Sequence, residues 1–422
     1  MRGSANILGH VETDARLLTR AAWHARASVV VYVWFAAAII VVLLRDHIAD
    51  AAWLSTHLLL LGAVTNAIFI WSWHFTAAIL RVPTSPDRAE EILRLAVLNA
   101  GVGGIIIGGL AESPFIVIIA AGFVATAVVL LARAVLVALR HALPSPYAFT
   151  AQAYVVATSL LLCGIVLGVV METVPMSDAL HARLMLAHVA CNVLGWVGIT
   201  ILGTIVTLWP TMLRTRIAPN AARLARRVLP VLAGSTIIAA IALALRVADV
   251  AAIALLVYAG AFVITGVPIA TVMRAKRPTT FATQSALAGL LWLAGTVVLV
   301  AIALLRWGID TVAAHGAGLV IAGAAGVLQV LIGCMAYLLP AMAGGGPAIV
   351  RLRNDRADRG ALARLTLANV GVALVIAAPD GGRTPGVLVA LAGLASSAII
   401  VATTLRTPSA AQVAAAEARR GE

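Results

Sequence analysis

Apolar runs of about twenty residues recur along this chain from Val29 to Thr404, each long enough to cross a hydrocarbon core of about 30 Å. Twelve such runs can be counted. Lipid offers no water to bare peptide groups, so each run must close its backbone hydrogen bonds internally as a helix. Composition agrees. Charged residues make up 11% of the chain and hydrophobic ones 62%, where a soluble domain carries roughly 25% charged residues. The expected fold is therefore all-α, a twelve-helix polytopic membrane protein. It forms a single integral membrane domain over 1–422, with a polar segment at 1–26, twelve spans over 27–405 and a polar tail at 406–422. No soluble domain interrupts the spans, and the lipid bilayer is the first partner.

The net charge of +13 would suit nucleic acid, but its distribution does not. Of the 30 Lys and Arg, all but Arg45, Arg183, Arg246, Arg306 and Arg383 fall in the termini or in alternate loops. That asymmetry is the positive-inside signature. It predicts a bacterial cell (inner) membrane protein with both termini cytoplasmic. No basic patch with interleaved aromatics is present, so nucleic acid is not an expected partner.

Three histidines punctuate the pattern. His57, His188 and His315 stand 131 and 127 residues apart. Each is placed at the outer, N-terminal end of an inward-running helix, namely the predicted spans at 56–81, 184–209 and 315–342. Glycines follow each one: Gly62, Gly195 with Gly198, and Gly323 with Gly326. The chain thus reads as three four-helix repeats with one histidine in each. A lone histidine near the headgroups ordinarily snorkels to the interface; three at one repeat position call for more. His74 lies seventeen residues after His57, about 25 Å along a helix. Beside Trp71 and Trp73, it suits an interfacial aromatic belt or a ligand role equally. His10, His24, His47 and His141 are placed outside the helices, and His181 in the loop before the sixth. Neutral imidazole is a common metal ligand, and two on facing helices can hold a haem. A copper or zinc ion needs about three ligands at ~2.0–2.1 Å, which His57, His188 and His315 supply only if the repeats pack around one axis. No Asp, Glu or Lys falls in the middle third of any predicted span, which counts against an ion-coupled transporter.

Twelve helices in three arcs, with histidines on helices 2, 6 and 10, resemble the haem–copper oxidase subunit I superfamily and its NnrS-like relatives. The stretches THLLLLGAVTNAI with WSWHF, GWVGITILGTIVTLWPTMLRTR and YLLPAMAGGGP are similar to the membrane portion of actinobacterial proteins described as copper or multicopper oxidases. In that resemblance His57 and His315 match haem ligands and His188 matches a copper ligand. It implies haem or copper as cofactor, electron transfer or metal and nitrogen-oxide handling near the outer leaflet, and a cupredoxin or multicopper oxidase partner. It stops short of oxygen reduction. Position 317 is Ala where the oxidases have a second histidine on helix 10. No histidine stands on helix 7 or 8, and the acids and lysines of the proton channels are missing. Any enzyme activity would be that of an oxidoreductase component without a complete oxygen-reduction site. The competing expectations are a metal or small-solute permeation protein with the same histidines lining its path, and a cofactor-free membrane anchor or scaffold.

Overall fold

A computed structural model of the chain describes residues 19–85, 87–379 and 381–406. The expectations for the segment at 1–18 and the tail at 407–422 lie outside these residues. Among the described residues the structure is helical, without strands. Eleven single helices are long and apolar enough to span a membrane: α1 (Arg20–Leu43), α2 (Ala51–Leu80), α3 (Ala89–Leu110), α4 (Pro114–His141), α5 (Phe149–Thr173), α6 (Asp178–Met212), α7 (Ala221–Ala244), α8 (Ala248–Ala275), α9 (Phe281–His315), α10 (Ala317–Ala343) and, last in the chain, α13 (Thr384–Thr403). Between the last two, α11 (Gly346–Asp358) and α12 (Ala361–Ala377) are bent by 44° against each other and make a twelfth span only if taken together. The protein is an all-α, multi-pass membrane protein.

Several boundaries differ from those expected, each for a local reason. Span α1 starts at Arg20, not at position 27, because Thr19 caps it by accepting from the Ala22 amide, the usual N-cap arrangement. That draws His24 into a span. Helix α3 begins at Ala89, so Glu91 and Arg94 are buried helical residues. Helix α6 begins at Asp178, behind the Ser177 cap, so His181 is helical too. The largest change concerns the predicted outer loop at 306–314. It continues α9 beyond a kink at Gly308, whose φ of 75° and ψ of 175° are not helical. His315 therefore closes α9 instead of opening α10.

The three repeats are visible as close helix approaches. Small residues let backbones come together in lipid, and glycines do this in each unit, three of them between the first two helices of their units. A Cβ added to Gly62 would meet Trp34 Cγ at 2.9 Å, one on Gly195 would meet Leu160 Cβ at 2.6 Å, and one on Gly326 would meet Trp292 Cβ at 3.1 Å. These are the α1/α2, α5/α6 and α9/α10 contacts. Two tryptophan–asparagine pairs repeat as well. Trp34 Nε1 donates to Asn99 Oδ1, and Trp292 Nε1 to Asn369 Oδ1, both at 2.6 Å.

Aligned on these glycines, His57 is in register with Ala190 and Ile321. On that alignment His188 falls two residues, and His315 six residues, before the position of His57. What does repeat is a local widening of the helix. Residues His57–Val64 of α2 and Ala190–Gly198 of α6 are π-helical, and the glycine alignment superposes their starts. Helix α10 has no such turn.

Candidate functional site

Both π-turns lie beside a histidine. In α2 the turn begins at His57; in α6 it begins two residues after His188. Such turns are uncommon and frequently mark functional positions. Here they also bring the two helices together. Thr65 Oγ1, at the end of the α2 turn, donates to the Leu60 carbonyl at 2.9 Å and accepts from Trp196 Nε1, within the α6 turn, at 3.1 Å. Phe69 meets the same indole edge to face at 6.1 Å. Other carbonyls of the widened turns have side-chain donors: Asn66 Nδ2 reaches Gly62 O at 2.8 Å, and the Tyr258 hydroxyl reaches Leu194 O at 3.0 Å. In lipid an unmet carbonyl costs several kcal/mol, so these donors are what allow the turns to exist.

His57 and His188 sit above this junction. Each uses Nδ1 on a backbone carbonyl: His57 on Trp53 O within its own helix, and His188 on Gly164 O of α5, both at 2.8 Å. A carbonyl accepts only, so Nδ1 carries the proton in both rings and Nε2 presents a bare lone pair. This is the arrangement that fixes a metal-binding histidine in its ligand tautomer. Trp53 packs against His57 with centroids 4.4 Å apart. Gly168 leaves room beside His188, since a Cβ there would approach Cε1 to 3.2 Å.

His315 does not complete a trio with them. It is exposed at the end of α9, and Arg383 donates to its carbonyl at 3.2 Å. Among the described residues no three His, Cys, Asp or Glu side chains are arranged to share a metal ion. The structure places His57 and His188 each beside a π-turn and His315 at the end of α9.

No known family profile matches the chain, and no characterised protein is close enough in sequence to lend it a function.

A second histidine pair lies at the other end of α2. His24 Nε2 and His74 Nδ1 are 3.1 Å apart. His24 is 3% exposed and stacks on Trp71, with centroids 4.6 Å apart and planes within 10°. Trp71 Nε1 donates to Met335 Sδ at 3.0 Å. Beside the pair, Trp73 and Arg88 both donate to Glu91 Oε1, each at 3.0 Å. Placing His24 outside the helices hides this pair from sequence reasoning, although Thr19 carries the start signal. Between the two pairs lies a cavity of about 90 Å³, walled by α2, α5, α6 and α10. Its lining begins at Val64 and Val197, inside the two π-turns, and ends at Trp71 and Phe75.

Proposed function

We propose that the protein is a membrane-embedded electron-transfer or metal-handling component, with His57 and His188 as the ligand pair for a haem iron or a copper ion. The observation that supports this most is the shared tautomer. Two imidazoles each give Nδ1–H to a backbone carbonyl and keep Nε2 free, on helices that widen into π-turns beside them and meet at Thr65 and Trp196. The donor set fits a metal that accepts two imidazoles and takes its remaining ligands from a porphyrin, water or substrate. Such a centre would supply one-electron chemistry in a low-dielectric setting. The chain's own residues hold the rings: Trp53 O and Gly164 O set the tautomer, Trp53 flanks His57, and the Thr65–Trp196 bond fixes the spacing of α2 and α6.

With the positive-inside orientation, this site faces the outer leaflet of a bacterial cell membrane, where a cupredoxin-type partner would exchange electrons with it. Protein purified from haem- and copper-replete cells should show a Soret band or about one bound copper. His57→Ala and His188→Ala should each abolish it, while His315→Ala should leave it intact. A colourless, metal-free protein, or a signal indifferent to both substitutions, overturns the reading.

A further inference from the structure

The first and last spans, α1 and α13, leave an apolar groove of about 500 Å³ between them. It is far larger than the ~30 Å³ share of a water molecule. One wall is Tyr32, Ala36 and Ile40 of α1; the other is Ala395, Ala402 and Arg406 at and beyond the end of α13. Alanines spaced this way ordinarily let two helices close on each other, yet here the helices stand apart. Below the groove, a smaller cavity shares Tyr32, Phe35 and Ala398 with it and reaches Met335 of α10 and Ala63 of α2.

Two observations identify what belongs there. The first is length. The helical walls, Tyr32–Ile40 on α1 and Ala395–Thr403 on α13, each rise about 12 Å at 1.5 Å per residue, within the half-thickness of a hydrocarbon core of about 30 Å. That is the depth of one leaflet, too short for a spanning partner helix and matched to one acyl chain. The second is charge. Arg406 closes the groove at the end where the chain's Arg and Lys residues concentrate; it is exposed and makes no ion pair among the described residues. A guanidinium at headgroup level above an acyl-sized trough complements a phosphate that carries net negative charge.

We propose that the α1/α13 groove is a binding site for one anionic phospholipid of the Arg-rich leaflet, its chain in the trough and its phosphate on Arg406. Ala63 belongs to the π-turn that starts at His57, so the lipid chain rests one residue layer from the turn that carries the candidate ligand. The site itself stands whether or not His57 binds a metal.

Native mass spectrometry of the purified full-length chain in detergent, titrated with phosphatidylglycerol or phosphatidylethanolamine, tests this. One phosphatidylglycerol should be retained at least about tenfold more tightly than phosphatidylethanolamine. Ala398→Phe, which fills the trough, should remove it, and Arg406→Gln should erase the preference between the two lipids while the protein keeps its melting temperature. Equal retention of both lipids, no loss in Ala398→Phe, or a dimer that the same substitution dissolves would each overturn the proposal. The last outcome would assign the groove to a second copy of the chain.

Discussion

His24 shows how much one residue's placement can change. Arg20 and Arg26 flank it, so hydropathy alone starts the first span after it, and the ring reads as an interfacial bystander. In the structure it is nearly inaccessible, stacked on Trp71 and paired with His74. The signal lies in Thr19, a residue type that caps helices, but caps are read only when a helix is already suspected. His57 and His188 are legible as candidates because histidine is rare in apolar runs. Their tautomers are not, since these depend on which carbonyl a ring meets, and for His188 that carbonyl belongs to another helix. The two pairs should separate by mutation. His24→Phe keeps the stack on Trp71 and loses only the shared imidazole proton. Hydrogen bonds between membrane helices average about 0.6 kcal/mol, so its melting temperature should fall slightly. His24→Ala should lower it further by opening a void against the indole. Neither should alter cofactor content, and optical spectra with thermal melts would show a departure.

At the scale of elements, hydrophobic length marks where the spans lie, and the spacing of histidine and glycine points to the repeat. In the structure the glycines that touch Trp34, Leu160 and Trp292 recur between the first two helices of each unit, with the histidines at varying offsets before them. Hydropathy cannot report a π-turn, a kink at Gly308 or a 44° bend, because each changes the path of a helix without changing how apolar it is. Close approach at the glycines makes them intolerant of bulk. Gly195→Leu should cost about 1–3 kcal/mol, the usual penalty of overpacking, and should weaken any cofactor signal, because Gly195 lies inside the α6 π-turn. Gly234→Leu is the control. A Cβ there meets nothing within 4 Å, so its melting curve should overlay that of the parent.

For the whole molecule, the charge pattern predicts orientation. Basic residues gather in the turns and adjoining helix ends that follow α2, α4, α6, α8 and α10, and few stand on the side of the turns after α1, α3, α5, α7 and α9. Single cysteines introduced at Leu143 and Val247, in a background with Cys163, Cys191 and Cys334 replaced, should label from opposite sides of intact cells. A membrane-impermeant maleimide should reach position 247 and not 143, and the reverse would invert the topology. The histidine pairs then sit toward opposite faces, with α2 as their common strut.

The π-turns carry one more consequence. A π-turn is what remains in a helix when a residue is inserted and the hydrogen bonding is rewoven around it. Two of the three units bear this widening at the same place and α10 does not. Undoing the change is a matter of arithmetic. Removing Leu59 should restore a regular α-helix through α2 and turn its first residues by about 100° against the remainder of the helix. Thr65 and Trp196 would stay bonded while His57 swung away from His188. The chain would fold as before, with its ligand pointing at the wrong neighbour.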